Sequence, residues 1–276
     1  MGKKQKNIDE IIEESKKYKK FHAKRLYDVP IPATSGWIRF GLTGDVHYVN
    51  NYCDEDGFKE YCRILRDEGV RHLFIAGDLW DGCTGYTQIY RGQIHDVPFI
   101  GFEKSVEYVA NELPVPELMK YFILGNHEAK VLEKEGVDFG VALERKRKEL
   151  GLNDVHYFQP YYARVRLRDN PEIYMDLIHL AQYVAYTVGY TLQKYIRNVP
   201  PSERADIYGM GHTHHHEFVA IEGDYYSFLV GGWQYPNEYH IRRGAGSVRG
   251  GWLVEVLPEE GRKPPIKRIR AEFLRV

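Results

Sequence analysis

The sequence predicts an α/β fold of two packed sheets flanked by helices, and three observations lead there. Short apolar runs of strand length recur from Trp37 onward, each ends in a polar turn that often contains glycine, and stretches of helical length alternate with them. The second half of the chain is richer in strands, so a strand–loop–helix repeat gives way to hairpins.

Taken in order, residues 8–20 read as a charged helix whose thin apolar stripe is Ile11 and Ile12, and Pro30 and Pro32 interrupt regular structure after it. Residues 1–33 are therefore expected to be a basic arm or linker, and residues 34–276 one folded domain. Within that domain, strands are expected at Trp37 to Leu42, His72 to Ala76, Tyr121 to Leu124, Ile173 to Ile178 and Asp206 to Met210. Helices are expected at Phe58 to Glu68, Phe102 to Glu112, Gly140 to Leu150 and Val184 to Asn198. A hairpin is expected from Tyr161 to His179 around Asp169-Asn170-Pro171, and further strands follow His214, turned by Glu222-Gly223-Asp224.

Composition excludes several classes. No apolar run approaches the roughly 20 residues that span a bilayer, and the lysine-rich start has no apolar stretch behind it for a signal peptide. Lys6 stands where a myristoylation signal needs Ser or Thr. Three cysteines, Cys53, Cys62 and Cys83, lack CxxC spacing, so a reducing, cytoplasmic setting is expected. The net charge of −1 hides an uneven distribution: residues 1–25 carry nine Lys or Arg against four acids, and residues 262–276 carry six against Glu272 alone. Such basic ends either touch a polyanion or merely solvate a helix and a polar strand; the body between them is acidic.

Five short motifs follow the expected strands: Asp45-Val46-His47, Gly77-Asp78-Leu79-Trp80-Asp81, Gly125-Asn126-His127-Glu128, His179, and Gly211-His212-Thr213-His214. In layered α/β folds, loops at strand ends converge on one edge, so residues far apart in sequence meet there. The side chains delivered are imidazoles, carboxylates and one amide, with no thiolate. Imidazole suits Zn, Fe and Ni, and oxygen ligands suit Mn and Mg, so a binuclear site for borderline to hard divalent ions is chemically sensible.

The order of these motifs, with their glycines, resembles the calcineurin-like metallophosphoesterases, whose pattern is DxH, GDxxD, GNH followed by an acid, a strand-end His, and GHxH. The likeness covers roughly residues 38–215. It implies a four-layer α-β-β-α sandwich of two mixed sheets and two divalent metal ions, with Mn expected and Fe, Zn, Ni or Mg as alternatives. It implies further that Asp45, His47 and His214 hold one metal, that Asn126, His179 and His212 hold the other, and that Asp78 bridges them. His127 matches the family's non-ligand histidine, which faces the substrate and stabilises the transition state or protonates the leaving oxygen. Asp81 and Glu128 would orient ligand imidazoles. One departure is Leu180, which follows His179 where many members have glycine. The implied chemistry is attack by a metal-bridging hydroxide with no covalent intermediate.

Taken singly, each residue has an ordinary alternative: Asp45 and His47 as loop polar groups, Asn126 as a turn former, Asp78 as a helix cap. Of His215 and His216, at most one can face the metals from a strand. His22, His72, His95, His156 and His240 have no motif around them and read as structural. Tyr183, Tyr186 and Tyr190 recur at helical spacing, as a packed helix face does. The loop from Gly82 to Gly101, with Tyr86, Tyr90 and Arg91, either lines a substrate groove or is simply an exposed connection.

For substrate, protein phosphatases of this superfamily follow GDxxD with Arg-Gly, whereas Asp81 is followed by Gly82 and Cys83. Trp80 within the second motif is similar to the family's DNA-repair nucleases. Gly232-Trp233-Gln234, followed by Arg242, Arg243 and Arg249, resembles the exonuclease subunit of D-family DNA polymerases. The expected function is phosphodiester cleavage in DNA or RNA by a nuclease, with a small-molecule phosphodiesterase or phosphomonoesterase as the alternative. A non-catalytic interaction module ranks third, because no ligand of the implied set is lost. The expected partner is a phosphate ester, nucleic acid included, and no membrane.

Overall fold

The computed structural model describes residues 26–84, 96–180, 189–221, 225–237 and 246–276. The expected helix at 8–20, the turn at 222–224, and His22, Tyr86, Tyr90, Arg91, His95, Tyr183, Tyr186, His240, Arg242 and Arg243 lie outside the described residues.

Two six-stranded mixed sheets form the centre. The first contains β2 (Ile38–Thr43), β3 (His72–Ala76), β4 (Met119–Leu124), β5 (Val155–Pro160), β11 (Gly251–Pro258) and β12 (Ile266–Leu274), in the order β12-β11-β2-β3-β4-β5. From β2 to β5 the neighbours run parallel, and the β11 and β12 edge is antiparallel. The second contains β1 (Leu26–Asp28), β6 (Tyr162–Asp169), β7 (Glu172–Ile178), β8 (Ile207–Met210), β9 (His216–Ile221) and β10 (Tyr225–Val230), in the order β1-β6-β7-β8-β10-β9.

Period-two alternation on strands buried on both faces explains the layering. On β3, Leu73 and Ile75 join the cluster beneath α1 (Glu55–Asp67), α2 (Phe102–Glu112) and α4 (Phe139–Glu149), together with Phe58, Val106 and Phe139. Phe74 and Ala76 point the other way and meet Phe40, Met175, Leu177 and Phe228 between the sheets. On the far side, Ile178, Tyr208 and Met210 pack under Leu192 and Ile196 of α5 (Tyr190–Asn198). The result is the four-layer α-β-β-α sandwich.

Most expected elements stand within a few residues of their sequence positions, and three differ in instructive ways. Helix α1 begins at Glu55, three residues ahead of the apolar run, because the Asp54 carboxylate caps it by accepting the Gly57 N–H at 3.1 Å. Within the stretch expected as a linker, Leu26–Asp28 pairs in parallel with β6, and Val29 and Ile31 are buried. A helix that periodicity did not reveal, α3 (Asn126–Glu135), starts inside the third motif, since only Glu128, Ala129 and Val131 on it are buried. No helix among the described residues is long and apolar enough to cross a membrane.

Beneath α4, three buried ions hold β4 to β5. Asp154 accepts from Lys120 Nζ at 2.8 Å, from Arg147 Nε at 2.9 Å and from Arg147 Nη2. Burial would raise the Asp154 carboxyl, but the two cations hold it below its ordinary value. Asp154→Asn leaves two buried cations short of a counter-charge, and the expected loss is about 3 kcal/mol of stability. A urea midpoint within error of the parent's, at equal slope, would contradict this.

Candidate metal centre

The first sheet delivers Asp45 and His47 after β2, Asp78 after β3, and Asn126 as the first residue of α3 after β4. The second sheet delivers His179 after β7, His212 after β8 and His214 just before β9. The two edges meet where His179 Nδ1 lies 2.7 Å from the Ala76 carbonyl at the end of β3. Five of these residues adopt left-handed backbone: Asp45 (φ 50°), His47 (57°), Asp78 (50°), His212 (80°) and His214 (52°). Such conformations cost on the order of 1 kcal/mol or more each in non-glycine residues and persist where surroundings enforce them. Here the enforcing bonds run from Asp45 N to Gly77 O, from His47 N to Asp78 O, from Trp233 N to Asp45 O and from Val248 N to His214 O.

Two glycines are required by close approach. A Cβ on Gly125 would fall 2.2 Å from Asp78 Oδ1, and one on Gly211 would fall 2.3 Å from the Ala76 carbonyl and 2.9 Å from His179 Nδ1.

The seven expected ligands come together as two sets. In one, Asp45, His47 and His214 bring ligand atoms within 4.8 Å of one another; the two Nε2 atoms are 3.2 Å apart, and His214 Nε2 is 3.6 Å from Asp45 Oδ1. In the other, Asp78, His179 and His212 do the same, and Asn126 Oδ1 lies 3.0 Å from His179 Nε2 and 2.7 Å from His212 Nδ1. Asp78 Oδ2 lies between the sets, 3.1 Å from His179 Nε2 and 3.8 Å from His47 Nε2.

The donor set fits divalent cations. His179 uses Nδ1 to donate to the Ala76 carbonyl, so in its neutral form Nε2 turns a lone pair toward Asn126 Oδ1 and Asp78 Oδ2, both acceptors. His47 is committed in the same way through Nδ1 to Asp81 Oδ1 at 2.8 Å, leaving its Nε2 facing His214 Nε2. Lone pairs converging in a buried place call for positive charge. The titration directions say the same. Burial raises the Asp45 carboxyl well above its ordinary value. Burial would lower His179, yet Asp78 and Asp45 beside it raise it to about 10. Burial and the His179 charge push His212 down to about 4.

Asp81 has a wider role than orienting one ligand. Its Oδ1 is 2.8 Å from His47 Nδ1 and 2.9 Å from His127 Nδ1, and its Oδ2 accepts the Asn50 amide at 3.0 Å. Burial opposes ionisation, but the two imidazoles outweigh it and hold the carboxyl well below the usual range. Asn50 escaped the sequence reading; its signal was a place in the loop after DxH, where its Oδ1 also accepts the Tyr52 N–H at 2.9 Å. His127 stands beside the clusters, 19% exposed, with Nε2 4.0 Å from Asp78 Oδ2 and its ring edge-on to His47 at 4.5 Å.

Glu128 corrects an expectation. Its carboxylate accepts from Trp80 N at 2.8 Å and Gly125 N at 2.9 Å, so it fixes backbone at two motifs instead of orienting an imidazole. Burial and the nearby Asp78 raise its carboxyl well above the ordinary value. Trp80 is fully buried and stacks on Phe139 at 4.8 Å, a core residue despite its place in the motif. Leu180, the departure after His179, packs against the α5 cluster. His216 stacks on Phe273 at 4.2 Å, and His72 and His156 stack on Tyr121.

No curated protein matches the chain. Among solved structures, a predicted phosphoesterase from Streptococcus pneumoniae TIGR4 aligns with TM-score 0.40 at 13% identity, over 87% of this chain and 90% of that one. Zinc-complexed Vps29 from Entamoeba histolytica aligns with TM-score 0.40 at 12% identity, over 86% and 99%. A hypothetical protein from Pyrococcus horikoshii OT3 aligns with TM-score 0.42 at 11% identity, over 86% and 87%. The family profile described as calcineurin-like phosphoesterase matches residues 38–231, which span β2 to the end of β10 and all seven converging side chains, and on that match the chain belongs to the calcineurin-like phosphoesterase family.

Proposed function

We propose that this protein is a metal-dependent phosphodiesterase acting on nucleic acid. Family membership supports metal-dependent phosphoester hydrolysis. The observation that carries the reading is the convergence of two donor sets around Asp78, with His127 beside them and partly open to solvent. Asp45, His47 and His214 would hold one ion, Asn126, His179 and His212 the other, and Asp78 both. Two divalent ions, manganese the first choice, would there supply positive charge for the phosphoryl oxygens and acidity for a nucleophilic water.

The chain's own residues do the rest. The Asp81 carboxylate and the Asp81 carbonyl, at 3.1 Å, both face His127 Nδ1, so that nitrogen carries a proton and Nε2 is the atom left for the substrate. The buried left-handed loops hold the donors without rearrangement, which favours catalysis by fixed charge. A diester is favoured because Gly82 replaces the arginine with which the family's protein phosphatases grip a monoester. Nucleic acid is favoured by the resemblance of Gly232-Trp233-Gln234 to the exonuclease subunit of D-family DNA polymerases. The free thiols of Cys53, Cys62 and Cys83 are in keeping with a reducing, cytoplasmic setting.

The test is a metal screen with single-stranded DNA, bis(p-nitrophenyl) phosphate and p-nitrophenyl phosphate. Both diesters should be cleaved faster than the monoester, with Mn²⁺ most effective. Faster hydrolysis of the monoester would defeat the diester reading. Cleavage of the chromogenic diester with DNA left intact would move the substrate to small diesters.

A further inference from the structure

Arg249 lies beside the candidate metal centre but belongs to none of the five motifs. Its backbone forms a parallel bridge with Gly232. A Cβ on Gly232 would stand 3.2 Å from the His214 ring and 3.3 Å from Asp45 Cβ. Residues paired across a bridge send their side chains to the same face. Arg249 therefore leaves the backbone on the face that Asp45 and His214 occupy.

The guanidinium is held in place. Nη1 is paired with Asp54 Oδ2, and the Tyr235 ring covers one face at 4.1 Å from the guanidinium carbon. Asp54 is itself fixed, since its Oδ1 caps α1 and its N–H donates to Trp233 O at 2.6 Å. The Arg249 side chain remains 33% exposed, and among the described residues its Nε and Nη2 donors have no partner. A planar fork of donors, already ordered and leaving the backbone on the face of the candidate metal centre, binds an oxyanion with little loss of entropy.

We propose that Arg249 grips the substrate's phosphoryl oxygens, supplying from the segment just before β11 the guanidinium that the second motif lacks at Gly82. This rests on the phosphoesterase reading. It assigns the contact to the phosphate itself, so it applies to any ester the protein takes.

The probe is inorganic phosphate, its affinity for the Mn²⁺-loaded full chain measured by calorimetry and by inhibition of bis(p-nitrophenyl) phosphate hydrolysis. In Arg249→Ala, phosphate affinity should fall roughly tenfold or more, the KM for the diester should rise, and metal content should match the parent's. Asp54→Asn keeps an oxygen for the Gly57 N–H and releases the guanidinium from its ion pair. Phosphate affinity in that variant should fall much less than in Arg249→Ala, because the donors remain and only their ordering is lost. If Arg249 served only to brace Asp54, both variants would lower the melting temperature alike and change phosphate affinity in step, and that result overturns the proposal. So does unchanged phosphate affinity in Arg249→Ala, or a parent protein that binds no phosphate. Calorimetry requires no turnover, so the two readings fail separately. Phosphate binding that depends on Arg249, in a protein that cleaves no ester, defeats the proposed function alone. Ester cleavage that ignores Arg249 defeats only its assignment.

Discussion

Asp78→Asn is expected to abolish measurable turnover and strip most bound metal. Asp78 places a carboxylate between the two donor sets: Oδ2 faces His179 at 3.1 Å and His47 at 3.8 Å, while Oδ1 accepts the His127 backbone N–H at 2.9 Å. Burial would raise its carboxyl, but the surrounding imidazoles hold it well below the ordinary value. An amide keeps the shape and one acceptor but loses the charge that lets two cations come close. Several kcal/mol of lost stabilisation corresponds to a rate loss on the order of 10³ or more. Elemental analysis after gel filtration, with circular dichroism to confirm the fold, separates metal loss from unfolding. Two ions per folded chain at near-parent rate would remove Asp78 from the bridging position.

The site was more legible in the sequence than its supports, and the reason is physical. Asp45, Asp78, Asn126, His179 and His212 each follow a strand, and a strand end needs only a short apolar run and a turn to be recognised. Gly125 and Gly211 marked the places where no Cβ fits. Glu128 was misassigned because its neighbours suggested an imidazole partner, whereas it is the third residue of a helix that the pattern did not reveal. At that position a carboxylate turns back to the N–H before the helix, here Gly125. Leu26–Asp28 was hidden by Pro30 and Pro32, which read as breakers, yet an edge strand can stop short of a proline without loss. Asn50 meets Asp81 across 31 residues, and Arg249, marked in the sequence only by its place after Gly232-Trp233-Gln234, meets Asp54 across 195; local pattern carries no trace of either contact.

His127→Ala is expected to part company with Asp78→Asn by keeping both metals while the rate falls by on the order of 10² to 10⁴. The difference follows from where the ring stands. Its Nδ1 is taken up by Asp81, its Nε2 is 4.0 Å from the nearest oxygen of Asp78, and it is more exposed than His47 or His179. Removing it leaves the three-atom sets around Asp45 and Asp78 intact. Asp81→Asn should behave as a mixture, weakening metal retention through His47 and rate through His127, because one carboxylate oxygen serves both rings. Leaving-group dependence then separates the two roles open to His127. If Nε2 delivers a proton to the departing oxygen, the penalty of the alanine variant should be small for p-nitrophenolate, which leaves without help, and large for an alkoxide leaving from a dinucleotide or a methyl ester. If Nε2 only stabilises charge on the phosphoryl group, the penalty should be the same for every leaving group. Loss of an ion from His127→Ala would instead make the ring a ligand, with Asp81 and His47 as its partners in the third cluster of potential donors.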